Sequence, residues 1–139
     1  MRSLQWTQEN SVYVPEIDAQ HRQMFGAAAE LRRAVLAGEK PAQLELLLDH
    51  LMREFAGHSL RQEQLMQAAQ YPAREWHRRQ HETARAKLAM IRHNVHRGDR
   101  EAIFESLESF AGWLRDHTSL TDRMLGSYLR NYRREHGVS

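Results

Sequence analysis

The 139-residue sequence predicts an all-α fold, an antiparallel up-down four-helix bundle with an extended N-terminal arm. Three observations carry that expectation. Apolar residues recur at intervals of three and four through most of the chain, which is the period of a helix buried on one face. Only three prolines and seven glycines interrupt the pattern, most of them where one helical run gives way to the next. No segment alternates apolar and polar residues for long enough to make a strand.

Residues 1–17 form the arm, with Trp6 and Tyr13 expected to pack on the outside of the bundle. The first helix spans 18–37. Asp18 is placed to cap it, Met24, Phe25, Ala28, Leu31 and Val35 form its apolar face, and Gly38 and Pro41 end it and open the next. The second helix, 42–67, repeats Leu44, Leu47, Leu48, Leu51, Met52, Phe55 and Leu65, and the stretch AAQYPA with Pro72 closes it. The third, 73–96, buries Leu88, Ile91 and Val95 and turns at Arg97, Gly98 and Asp99. The fourth, 100–131, carries Ile103, Leu107, Phe110, Trp113 and Leu114. Connections this short make consecutive helices antiparallel neighbours, and the chain is read as one domain over 1–139.

Composition limits the partners. With 41% hydrophobic and 27% charged residues the chain has enough apolar surface for one buried core. A net charge of +2 gives no footprint for nucleic acid, although the pI is about 9.3. The absence of cysteine excludes disulfides and thiolate metal sites, so any metal is held by nitrogen and oxygen. The N-terminus has no apolar leader core, and no run approaches the roughly 18 apolar residues of a membrane span. The expectation is a cytoplasmic monomer without nucleic-acid or membrane partners.

The chemistry is concentrated in His21, His58, His77, His81 and His117, together with Asp122. His77 and His81 lie roughly 40° apart on one helix and can reach one ion. His21 is early in the first helix, His58 late in the second and His117 late in the fourth, and in an up-down bundle all these positions fall at one end. Buried polar groups without partners cost roughly 1–3 kcal/mol each, whereas a metal ion that ligates them turns that cost into binding energy. His50, His93, His96 and His136 fit no ligand position and are read as surface residues. The five-residue step from His117 to Asp122 corresponds to about 140° in an ideal helix, so a π-type bulge is expected near Thr118 to Thr121.

In order and spacing, Trp6 to Val14, Ile17-Asp18-Ala19-Gln20-His21, and His58 with Glu63, Leu65, Met66, Tyr71 and Pro72 resemble the hemerythrin family, closely its single-domain bacteriohemerythrins. The resemblance continues through His77-Arg78-Arg79-Gln80-His81, Trp113-Leu114-Arg115-Asp116-His117 and Asp122. It implies a non-haem centre of two iron ions, bridged by Asp122 and an oxo or hydroxo group, that binds dioxygen reversibly. His77, His81 and His117 would ligate one iron and His21 and His58 the other, leaving an open place for dioxygen, nitric oxide or a small anion. Where the family has a second bridging carboxylate this chain has Gln62, and Glu63 lies about 140° from His58 and does not replace it. Gln62 is expected to bind one iron through its oxygen or to hydrogen-bond to a bound water. Ser59 and Thr118 stand where bulky apolar residues are usual, beside Trp113 and Leu114, so a more polar dioxygen pocket is expected. That keeps two further readings open, a di-iron peroxidase or oxidase and a regulatory module with a degenerate metal site. Asp18 is read either as a helix cap or as a group orienting an imidazole.

Overall fold

In the computed structural model, which describes residues 4–137, the chain is an all-α bundle and no strand occurs among the described residues. Residues 1–3 of the expected arm, and 138–139, lie outside the described residues. Helix α1 covers Pro15–Leu36, α2 Pro41–Ala68, α3 Arg74–Arg97 and α4 Arg100–Asp116. A π turn, His117–Thr121, joins α4 to α5, Asp122–Glu135, so the fourth rod of the bundle is α4 and α5 end to end. Helix α1 packs against α2 and α4, and α3 packs against the same two, which closes the ring of four. No helix is long and apolar enough to cross a membrane among the described residues.

Local chemistry sets the boundaries. Pro15 and Pro41 each sit in the first turn of their helix, where the missing N–H costs nothing and the fixed φ is already helical. Helix α1 therefore begins three residues before Asp18, and Asp18 is not its cap. Its carboxylate accepts instead from the Ser11 hydroxyl at 2.6 Å and the Val12 N–H at 2.8 Å, tying the arm to the helix. Helix α3 ends at Gly98, whose φ of 68° is the left-handed conformation that glycine adopts without strain. Asp99 then caps α4 by accepting from the Ala102 N–H at 3.1 Å. The fourth rod runs on to Glu135 because Leu125 and Leu129 bury one face of α5.

Two apolar clusters result. The larger fills the bundle with residues such as Met24, Phe25, Leu51, Phe55, Leu88, Phe110 and Leu114. The smaller packs Val12, Val14 and Ile17 against Leu65, Met66, Leu125 and Leu129. His21 lies between Ile17 and Met24, and His58 between Phe55 and Leu65, so the histidine layer separates the two clusters. In the arm, Trp6 is half-buried against the larger cluster. Tyr13 does not bury: it is 62% exposed, and its neighbours Val12 and Val14 are the residues that anchor the arm. A Cβ on Gly126 would meet the Val12 carbonyl oxygen at 2.6 Å, so only glycine allows α5 to approach the arm this closely.

Candidate metal centre

Seven polar side chains from five elements meet in the layer between the clusters. His21 comes from α1, His58 and Gln62 from α2, His77 and His81 from α3, His117 from the π turn and Asp122 from the start of α5. None is more than 3% exposed. The π turn makes the last two neighbours. The Asp122 N–H donates to the His117 carbonyl, a five-residue hydrogen bond that adds one residue to the turn and returns Asp122 to the histidine's side. The bulge expected from the spacing is thus present at 117–121.

The Asp122 carboxylate divides between two groups of imidazoles. Oδ2 accepts from His21 Nε2 at 2.7 Å and lies 3.6 Å from His58 Nε2. Oδ1 lies 3.0 Å from both His77 Nε2 and His117 Nε2. The rings group in the same way: His77, His81 and His117 have centroids 4.9–5.1 Å apart, and His21 and His58 are 5.0 Å apart. One ligand atom from each of His58, His81, His117 and Asp122 lies within 4.8 Å of the others.

Several of these atoms lack ordinary partners. His58, His81 and His117 Nε2 and Asp122 Oδ1 are buried without a hydrogen bond among the described residues. Short nitrogen-to-oxygen approaches that fail hydrogen-bond geometry suit donors converging on an ion between them, and an all-nitrogen-and-oxygen set suits iron, manganese or zinc. Protonation agrees with this use. Burial, only partly offset by Asp122, lowers the His58 pKa to about 4. Burial, with repulsion from His117 and His77, lowers His81 to about 2. Burial by itself would raise Asp122, but the charge and hydrogen bonding of His117, with hydrogen bonds from His21 and His58, hold the carboxyl well below its usual range. At neutral pH the centre presents neutral His58 and His81 rings and an ionised Asp122, the protonation states in which such side chains bind metal.

Gln62 is fully buried beside the three-ring group, and its Oε1 accepts from His77 Nε2–H at 2.7 Å. Its amide nitrogen has no partner among the described residues. Of the expected pocket residues, Trp113 stacks on His117 at 4.3 Å and 15°, and Leu114 is fully buried. Ser59 is buried, and its hydroxyl has no partner among the described residues. Thr118 differs from expectation. Its hydroxyl donates to the carbonyls of Leu114 at 2.8 Å and Arg115 at 3.1 Å, a back-bond open to any helical threonine, so it adds little polarity to a pocket. Among the other histidines His93, His96 and His136 are exposed and His50 is half-buried.

Two contacts were not foreseen. His58 Nδ1–H donates to Gln20 Oε1 at 3.2 Å, fixing the ring so that Nε2 faces the centre. Asp18, read from the sequence as either a helix cap or such a support, is engaged by the arm instead. Tyr71 lies edge-on to His77 with ring centroids 6.4 Å apart, and burial and the Asp122 charge raise its pKa. Gln20 stands inside the motif already singled out, but only the fold shows which ring it meets.

In comparison with known proteins, residues 12–129 match the family model described as Hemerythrin HHE cation binding domain. No curated protein matches the chain.

Proposed function

The chain belongs to the hemerythrin family, whose domain binds cations, and from that premise we propose that its buried centre holds two iron ions and binds dioxygen reversibly. The observation that carries this reading is the division of Asp122, with Oδ1 beside His77 and His117 and Oδ2 beside His21 and His58. A carboxylate so placed is suited to bridge two ions. His77, His81 and His117 would hold one of them and His21 and His58 the other, and the smaller ligand set of the second would leave room for dioxygen or nitric oxide. When bound, two ferrous ions would supply the two electrons, and a bridging hydroxo group the proton, that reversible dioxygen binding needs.

The chain's own residues set how the centre behaves. Gln20 holds the His58 ring in one tautomer through its Nδ1–H. Trp113, stacked on His117, and Leu114 keep water from the imidazoles on that side. Gln62 supplies an amide oxygen without charge, so the centre carries one negative charge fewer than with a carboxylate there. The ferric state is correspondingly less favoured and the second ion less tightly held. Gln62 either ligates through Oε1, giving up its bond to His77, or hydrogen-bonds to a bound water.

One observation favours a second reading, a peroxidase-like or oxidase-like enzyme. The buried Ser59 hydroxyl, unpartnered among the described residues, is available to a bound peroxide or water. Exposing the reduced, iron-loaded protein to oxygen separates the readings. A spectral change reversed by removing oxygen supports the carrier, and sustained oxidation of a reducing dye with peroxide supports the enzyme. A chain with a degenerate site gives neither.

A further inference from the structure

The seven side chains of the metal centre are at most 3% exposed, so a reductant larger than a few atoms does not touch an ion held there. Electrons that it gives must cross the protein. Three of the chain's four tyrosines, Tyr71, Tyr128 and Tyr132, stand in a row that begins at the centre. Tyr71 lies edge-on to His77 with centroids 6.4 Å apart. Tyr128 is 5.0 Å beyond Tyr71, and Tyr132 is 6.2 Å beyond Tyr128. The exposed His136 stacks on Tyr132 at 4.0 Å and marks where the row meets solvent. Centroids within about 7 Å are aromatic pairs in contact, so no gap interrupts the row.

The fold holds these rings in place. Tyr128 and Tyr132 are four residues apart and share one side of α5. Tyr128 donates its hydroxyl to the carbonyls of Ala69 at 2.7 Å and Gln70 at 3.1 Å, and Tyr132 donates to Ala68 at 3.3 Å. Both are thereby fixed to the end of α2, from which Tyr71 follows. A second run of rings starts at Trp113, stacked on His117, but its other ring neighbours are Phe55 and Phe110. Phenyl rings without a hydroxyl are too hard to oxidise to pass an electron on, whereas a phenol gives up an electron and a proton together.

We propose that Tyr71, Tyr128 and Tyr132 are the route by which a reductant in solution, of the class of ascorbate, returns electrons to the centre after hydrogen peroxide has oxidised it. The inference rests on the iron-binding reading of the centre. Peroxide takes up two electrons and two protons there and leaves as two waters. Tyr71 returns one electron and releases its phenolic proton to solvent at the surface groove that it lines with Met66, Gln67 and Gln70. Tyr128 then refills Tyr71 and Tyr132 refills Tyr128, each phenol regaining a proton with its electron. The phenoxyl radical left at Tyr132 takes a hydrogen atom from the reductant, and a second passage returns the second electron. The uncharged Gln62 favours this flow, because a centre whose ferric state is less favoured draws electrons more strongly.

Two arms of one experiment test the route, with peptide mass spectrometry locating the oxidised residues. In the metal-free, full-length protein, a photo-oxidised tris(bipyridine)ruthenium complex with persulfate draws electrons from accessible rings. The expected result is oxidation that reaches the buried Tyr71 and is lost in Tyr128→Phe, which keeps the ring and removes its oxidisable hydroxyl. In the iron-loaded protein, hydrogen peroxide with a nitroso spin trap gives an adduct at Tyr132. Ascorbate suppresses that adduct, and Tyr71→Phe or Tyr128→Phe abolishes it while helical circular dichroism and iron content stay unchanged. Tyr71 oxidation that survives Tyr128→Phe, a Tyr132 adduct that survives either substitution, or peroxide consumed with oxidation confined to Trp113 overturns the proposal. So does a protein that holds iron and consumes no peroxide. A protein that takes up no iron contradicts the iron-binding reading instead, and the metal-free arm then upholds or overturns the tyrosine route by itself.

Discussion

At Gln62 the centre carries a buried amide beside His77 where the resemblance to hemerythrins leads one to expect a carboxylate, and the difference is one of charge. Gln62→Glu restores a negative group next to the ions. Iron loss to a chelator should slow by about tenfold, in line with other changes around a metal site, and the midpoint potential should fall as the ferric state gains support. Unchanged iron release and potential would show that position 62 does not act on the metals. Gln20→Leu removes the acceptor from His58 Nδ1 and leaves its ring free to turn. It should lower the affinity of the second ion by about tenfold, read as iron content after dialysis, with α-helical content intact. That the five histidines and Asp122 meet in one buried layer could be read from the sequence, because side chains on the rigid helices of an up-down bundle converge only from matching heights. Gln20 and Asp18 could not be assigned in the same way. Whether a side chain meets an imidazole 38 residues away or an arm N–H six residues away depends on packing that local pattern does not encode. The partner of the Thr118 hydroxyl, a carbonyl of its own helix, is hidden from the sequence for a similar reason.

The elements that position these side chains are the π turn and the seat of the arm. The turn was legible because a regular helix cannot place residues five apart on one side, so a site needing both His117 and Asp122 needs a local expansion. The start of α1 was displaced because Asp18 has the composition of a cap, whereas Pro15, with its preset φ, begins the helix earlier. The arm's contact with α5 was not legible, since it rests on the absence of a side chain at Gly126. Gly126→Ala forces the Val12 backbone away and should destabilise the protein by about 1–3 kcal/mol in urea titration. Gly57→Ala, also within a helix but with nothing within 4 Å of the new Cβ, should stabilise it by about 1 kcal/mol. Equal effects of the two substitutions would contradict the close approach of arm and α5.

For the whole molecule, the four-helix architecture followed from apolar periodicity and short connections, while the seating of the arm against α5 followed from neither. The bundle buries His58 and His81, whose burial lowers their pKa, and its stability depends on pH accordingly. His58 and His81 accept a proton near 6.5 when unfolded but only near about 4 and about 2 when folded. Below pH 6.5 the unfolded chain binds more protons. Stability of the metal-free protein is therefore complete above that value and lost as pH falls towards 4 and then 2. The urea midpoint of the metal-free form should fall steadily between about pH 7 and pH 4.5, and a flat profile would contradict the burial of neutral imidazoles. A metal that binds the folded centre and not the unfolded chain raises the melting temperature with the logarithm of its affinity, so a chelator should lower it. The central claim is a two-ion dioxygen centre, and its most direct test is iron analysis of the purified protein together with optical spectra of its reduced, oxygenated and oxidised forms. Two irons per chain and an oxygenated spectrum that reverses on deoxygenation are the predicted result. One iron or fewer, with no spectral response to oxygen, would contradict it.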